Sequence, residues 1–210
     1  METRVDGRLV RGDQTRRIVL GKAVDIASVD GLEGLSIGRL AKELELSKGG
    51  VFAHFGSKEE LQLATVRAAR RIYAEAVVEP AFAVEPGLGR VWALSESWLD
   101  YSERRVFPGG CFFAKASYEY GARVGAVHDY LAEVNQEWIA LVEQTIAEAI
   151  TAGELAADPA QLAFELNAYY DSANLASLLR ADDGAIYDRA RQSIRARLES
   201  AATAGTALPW

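Results

Sequence analysis

SIGRLAKELELSKGGVFAHFGSKEEL, running from Ser36 to Leu61, is the stretch whose reading decides the fold. Ile37, Leu40, Ala41 and Leu44 recur at the three-and-four spacing of a helix with one apolar face. A break of a few residues follows, and a second short segment starts at Ser47 and is expected to bury Val51 and Phe52. Ser36 and Ser47 each precede a segment, where a hydroxyl accepts a backbone N–H that the helix start leaves unpaired. Ala41 is small where two helices must approach closely, and Leu46 is the apolar plug of the turn between them. Gly49 and Gly50 strip bulk from the start of the second helix, and Lys48 stands in its first turn, within reach of a phosphate or a base edge. A compact helix presented in this way fits the major groove of B-DNA. Ser57-Lys58-Glu59-Glu60 then has the form of a capping box, with Glu60 reaching back to Ser57, that opens a third, longer helix. The alternative on pattern alone is a helical hairpin that contacts protein, without DNA.

Outward from this motif the pattern is helical throughout. Residues 13–30 form a first helix, with Ile18, Val19, Ala23, Ile26 and Ala27 on one face and Gly31 as its stop, after a flexible basic arm over residues 1–12. The helix that opens at Ser57 is expected to end near Val78, before Pro80. Pro86 opens another through about Arg105, and Phe107-Pro108-Gly109-Gly110 makes a turn into a shorter helix over residues 111–121. A long helix spans residues 124–152. Asp158-Pro159-Ala160-Gln161 restarts the chain as cap, first-turn proline and third-position amide, for a helix to about Arg180. Asp182-Asp183-Gly184 turns into a last helix over residues 185–200, and AATAGTALPW is expected to be a loose tail. The expectation is an all-α chain: a three-helix DNA-binding head over residues 1–56 and a larger helical body over residues 57–210, with nine helices in all.

Composition excludes several classes. The 210 residues are half hydrophobic and a quarter charged, an ordinary globular balance. No apolar run approaches the ~18 residues of a membrane helix, and METRVDGRLVRGDQ lacks the apolar core of a secretory signal. The single cysteine, Cys111, excludes an intrachain disulfide and fits a reducing cytoplasm. His54 and His128 are the only histidines. Nothing has the spacing of a metal site or a Cys/His catalytic pair, so neither an enzyme, a metal nor a cofactor is expected. The net charge of −7 looks wrong for a nucleic-acid binder, but its distribution resolves this. Residues 1–58 hold 10 Lys/Arg against 8 Asp/Glu, and the remainder holds 13 against 22. Phosphate attraction needs a local basic surface rather than a basic protein.

SKGGVFAHFGSKEEL, preceded by a helix ending at Gly31 and by Leu35-Ser36-Ile37, resembles the TetR family of bacterial transcriptional regulators. The likeness covers residues 15–61 in detail, with helix, turn, Phe52-x-His54-Phe55 and Lys58-Glu59 at fixed spacing. It implies contacts at the DNA face, mostly to phosphates, from Lys48, Phe52, His54 and Lys58. With Ser36, Ser47, Gly49 and Gly50 these make the candidate DNA-binding set. Three positions depart from the family's habit. Glu45 stands at the turn position commonly held by glycine, where a positive φ carries a small strain. Phe52 stands where tyrosine is usual, and Gly38 replaces a longer side chain.

In the body, Phe164, Asn167, Asp171 and Asn174 share one stripe of a helix, and a polar stripe must meet solvent, another helix or a ligand. The resemblance gives this penultimate helix one face towards an effector cavity and another towards a partner subunit. The candidate effector set is therefore Trp98, Tyr101, Phe112, Trp138, Phe164, Asn167, Asp171 and Asn174. Ile186, Ala190, Ile194 and Leu198 recur every four residues on the last helix, and Ala173 and Ala176 on the preceding one are small. These six are the expected seam of a homodimeric four-helix interface. The implied function is a cytoplasmic repressor that binds palindromic operator DNA as a homodimer and is released by a small apolar or amphipathic effector.

Overall fold

Side-chain caps start the helices where the sequence puts them. In the computed structural model, which describes residues 7–180 and 184–210, Ser36 accepts from the Arg39 N–H at 3.1 Å, Ser47 from Gly50 at 3.0 Å and Ser57 from Glu60 at 3.1 Å. Asp158 does the same for Gln161 at 2.7 Å, with Pro159 in the first turn, where its missing N–H is no loss. Nine helices follow in order among the described residues. They are α1 (Gly7–Asp30), α2 (Ile37–Glu43), α3 (Lys48–Phe55), α4 (58–82), α5 (Leu88–Glu103), α6 (Phe112–Tyr120), α7 (Ala126–Thr151), α8 (Pro159–Leu179) and α9 (Gly184–Ala201). No strand is present among these residues, and no helix is long and apolar enough to cross a membrane.

The apolar faces of α1–α3 meet each other and the start of α4: Val19, Ala23, Leu35, Leu40, Val51 and Leu61 are essentially inaccessible. α4 also packs on α7, and α5 sits between α4, α8 and α9. Gly109 allows the 107–110 turn to lie directly on the end of α1. A Cβ there would stand 1.9 Å from the Ser28 carbonyl oxygen, and the Gly109 N–H donates to Ser28 Oγ at 3.1 Å.

Several expectations are corrected. Residues 7–12, expected as part of a flexible arm, are helical and belong to α1; residues 1–6 lie outside the described residues, as do Asp182 and Asp183 of the expected turn. Ile18 is exposed rather than inward. The α4 helix does not stop before Pro80. A wider π-helical turn, Ala74–Val78, intervenes after Lys58–Tyr73, and the chain continues through Glu79–Phe82. Such a turn relieves the clash that a proline ring makes with the preceding carbonyls. The capping box is only half formed, since the Ser57 N–H donates to the Phe55 carbonyl at 2.8 Å rather than to Glu60. The tail is not loose. Ala156 N–H donates to the Ala201 carbonyl at 2.8 Å and Thr203 N–H to Glu154 at 3.0 Å, and Trp210 packs on Trp92 with ring centres 5.3 Å apart. The 153–157 connection has backbone groups that need partners, and the tail supplies them.

Candidate functional site

The turn between α2 and α3 closes through a left-handed residue. Glu45 has φ 55°, and beyond it the Leu46 N–H returns to the Ala41 carbonyl at 2.8 Å, an arrangement that satisfies the end of α2. Leu46 itself is more than a third exposed, so its backbone rather than its side chain seals the turn. Val51 and Phe55 turn inward. Phe52, expected to be buried with Val51, is 54% exposed. The helical period explains this: one side chain of an adjacent pair must leave the core. Ser36, Ser47, Lys48, Gly49 and Gly50 are also exposed, so with Phe52 they give α3 and the start of α2 a continuous accessible surface.

The cations of this region divide into two groups. Lys22 and Arg39 are tied to Glu43, and Arg39 also to Asp30. Among the described residues no ion pair or hydrogen bond engages Lys48, whose side chain lies beside Gly38; a Cβ on Gly38 would be 3.4 Å from Lys48 Cε. His54 is half-buried, its carbonyl accepting from Arg16 at 2.5 Å while the Arg16 guanidinium lies over Phe55. Lys58 is accessible but engaged: its Nζ stands 2.7 Å from Glu33 Oε2.

Glu33 is a junction that the sequence did not announce. Besides Lys58, it accepts from the Tyr120 hydroxyl at 2.7 Å and from Arg123 at 3.0 Å, and Gln62 lies at 3.4 Å. Lys58 first, then Tyr120, lower the Glu33 carboxyl from 4.5 to about 2. Glu119 completes the clasp by accepting the Leu32 and Glu33 backbone N–H groups at 2.7 and 2.9 Å. Gly31 holds a left-handed φ of 82° that L side chains rarely adopt, and its missing Cβ leaves the Glu119 carboxylate room, since a Cβ would stand 2.6 Å from it. The loop between α1 and α2 is thereby fixed to the end of α6.

The other side of α6 borders a half-open cavity of about 660 Å³ lined by α4, α5, α6, α7 and α8. Of the eight expected effector residues, Trp98, Trp138, Asn167 and Asp171 line it. Tyr101 and Phe112 are buried behind the wall, Tyr101 edge-on to Tyr73 at 5.2 Å and Phe112 to Phe113 at 5.3 Å. Phe164 is 71% exposed on the outer surface of α8. Asn174 is buried elsewhere, its Oδ1 accepting from Cys111 N–H at 2.8 Å and Ser102 Oγ at 3.2 Å. The stripe from 164 to 174 extends ~15 Å along the axis, whereas the cavity is open to it only over the turn from 167 to 171. Sequence reasoning missed Tyr73, Phe113 and Tyr118 in the wall, together with the π-helical turn at Ala74 and Val78. Cys111 also faces this space, and burial raises its thiol above the ordinary value.

The expected seam divides in the same way. Ala173, Ala190, Ile194 and Leu198 are covered by their own protomer, and Ala176 and Ile186 are half-buried. The four-residue repeat of α9 points at α5 and α8 within the same chain. The apolar surface left open on α8 is Phe164, Leu175, Leu178 and Leu179, the last 80% exposed.

A model of bacterial regulatory proteins of the tetR family matches residues 19–65, and one of a tetracyclin repressor-like C-terminal domain matches residues 87–194. No curated protein matches the chain. Among solved structures, a TetR transcriptional regulator from Chloroflexus aurantiacus J-10-fl is similar with TM-score 0.84 at 22% identity, over 91% of this chain and 98% of that one. A putative transcriptional regulator from Saccharomonospora viridis, in complex with choline, has TM-score 0.76 at 21% identity, over 91% and 99%. AibR, in complex with isovaleryl coenzyme A and operator DNA, has TM-score 0.69 at 18% identity, over 85% and 96%. The two matched models span the helix-turn-helix and most of the helices that line the cavity, and the chain belongs to the TetR family of bacterial transcriptional regulators, with α2 and α3 as its DNA-binding helix-turn-helix.

Proposed function

We propose that this regulator is a cytoplasmic repressor that holds palindromic operator DNA as a homodimer and is released when a small apolar or amphipathic effector enters the cavity. Residues 1–56 are the DNA-binding unit and residues 57–210 the effector-binding and dimerisation unit. The observation that carries the reading is the placement of the cavity against α4, the helix whose first turn follows α3 directly. An effector changes operator affinity only by binding better to the conformation whose two recognition helices no longer match the groove. α4 leads from the cavity wall at Tyr73 and Ala74 back to Ser57, and α6 leads from the same cavity to the Glu33 clasp. The first route ends at the turn after α3, and the second at the α1–α2 loop, which Lys58 ties to the start of α4. That AibR is in complex with isovaleryl coenzyme A and operator DNA, and the S. viridis regulator with choline, supports a small-molecule effector for this protein.

The partner face in this reading is the apolar strip of Phe164, Leu175, Leu178 and Leu179 on α8, together with the small and polar outer residues of α9. An exposed apolar strip of this kind calls for cover, and a second copy provides it by a self-complementary contact. The test is a fluorescence-anisotropy titration of a DNA fragment from the promoter nearest the gene. Binding is expected to fall steeply with salt and to be relieved by effectors that also change the fluorescence of Trp98 and Trp138. Coupling of this type is typically about 1–3 kcal/mol, a several-fold to hundredfold change in operator affinity. DNA binding that is indifferent to salt and to DNA sequence would favour the protein-interaction alternative.

A further inference from the structure

The cavity carries an asymmetry of charge. Its wall holds three charged side chains, Arg70, Glu137 and Asp171. Arg70 and Glu137 neutralise each other at 2.6 Å. Asp171 has no hydrogen bond or ion pair among the described residues. Its neighbour one turn earlier, Asn167, makes its hydrogen bonds elsewhere. Asn167 Nδ2 donates to the Ala163 carbonyl at 2.8 Å, and Oδ1 accepts the Trp138 indole N–H at 2.7 Å. Asp171 is an exposed residue at the cavity wall, and partial burial against that wall raises its carboxyl above the ordinary value. A partly desolvated carboxylate without a partner gains when something positive joins it. Five aromatic side chains, Tyr73, Trp98, Phe113, Tyr118 and Trp138, stand in the same wall among aliphatic and small residues. Aromatic faces attract cations, and most strongly where water is excluded.

We propose that the effector of this cavity is an organic cation, a quaternary ammonium or protonated amine with an apolar body, held by Asp171 among the rings of Tyr73, Trp98 and Trp138. The inference rests on the sensor reading above and deepens it. An anionic ligand is disfavoured by the same wall: it would meet Asp171 and find its one possible counter-charge, Arg70, already paired. A volume of about 660 Å³ has room for a headgroup and a chain of moderate length.

The experiment uses decyltrimethylammonium, decan-1-ol and decanoate below their aggregation concentrations, with tryptophan fluorescence and release of promoter DNA as readouts. The cation is expected to bind about tenfold or more tighter than the alcohol, and decanoate more weakly than either. Asp171→Asn should abolish the preference for the cation while leaving the alcohol's affinity within about twofold, and Asp171→Glu should retain the preference. Equal or tighter binding of decanoate or decanol by the natural protein overturns the inference and leaves the sensor reading standing. So does a cation preference undiminished in Asp171→Asn. If none of the three binds or releases DNA, the inference and the sensor reading fail together.

Discussion

Lys48 and Lys58 were indistinguishable as letters, both cations beside the second helix of the motif, and the structure separates them. Lys48 is exposed and without an ion pair among the described residues, whereas Lys58 is held by Glu33. Lys48→Ala is therefore expected to weaken operator binding by about tenfold, with the salt slope reduced by about one if the contact is to phosphate, or one base position relaxed if it is to a base edge. Lys58→Ala should affect DNA less and lower stability by no more than about 1 kcal/mol, because the pair it breaks is accessible. Anisotropy titrations across a salt series check both. Gly109 makes a sharper claim about stability. Ala at this position would drive a Cβ into the Ser28 carbonyl, a backbone group that cannot step aside. Overpacking usually costs about 1–3 kcal/mol, and Gly109→Ala should reach the upper end, seen as a fall of several degrees in Tm, while Gly49→Ala, with open space around it, should leave Tm nearly unchanged. The sequence marked Gly109 as a turn residue; that it lies against α1 depends on a contact 81 positions away.

Among the elements, α6 has a double role that its sequence does not display. One side of its nine residues helps to line the cavity, and its end holds the loop between α1 and α2 through Glu119 and Tyr120. The clasp is electrostatic, so its response to pH has a definite sign. Glu33 is depressed in the folded state, from 4.5 to about 2, so its stabilising contribution is complete above pH 4.5 and is lost as pH falls through 2. The difference in Tm between the natural protein and Glu33→Gln should be present at neutral pH and shrink between pH 4.5 and 2. A difference that stayed constant over that range would show that the carboxyl makes no such contribution. The start of α4 was legible from Ser57 onward, but its end was not. Pro80 normally closes a helix, and only the π-helical turn before it, in the cavity wall, lets the chain continue.

On the scale of the whole molecule, the unresolved balance is between the covered and uncovered faces of α8 and α9. In the proposed dimer the seam consists of Phe164, Leu175, Leu178 and Leu179 rather than the buried repeat of α9. Leu175→Glu combined with Leu179→Glu should convert the protein to a folded monomer in sedimentation velocity and abolish tight operator binding, since one recognition helix reads only a few base pairs. Ile194→Glu should behave differently. Its side chain is inaccessible within the protomer, and an unpaired charge there should unfold the chain rather than split the dimer. A wild-type protein that sediments as a monomer at micromolar concentration would refute the assignment of this face.

Local chemistry was enough for the all-α class, the caps at Ser36, Ser47, Ser57 and Asp158 and the helix-turn-helix, because each depends on residues within a few positions of one another, whereas the left-handed Glu45 followed from the family resemblance. Periodicity also placed an apolar stripe on α9, but a stripe does not say which neighbour covers it. Whether Ile194 meets its own protomer or a partner, and whether Phe164 faces a cavity or solvent, is decided by how α5, α7 and α8 pack. The same holds for Asn174, a polar letter like Asn167, which Cys111 and Ser102 claim from loop and helix more than 60 residues away. Spacing along one helix fixes which side chains share a face; only the tertiary packing decides what that face meets, because burial is a property of the neighbours and not of the residue.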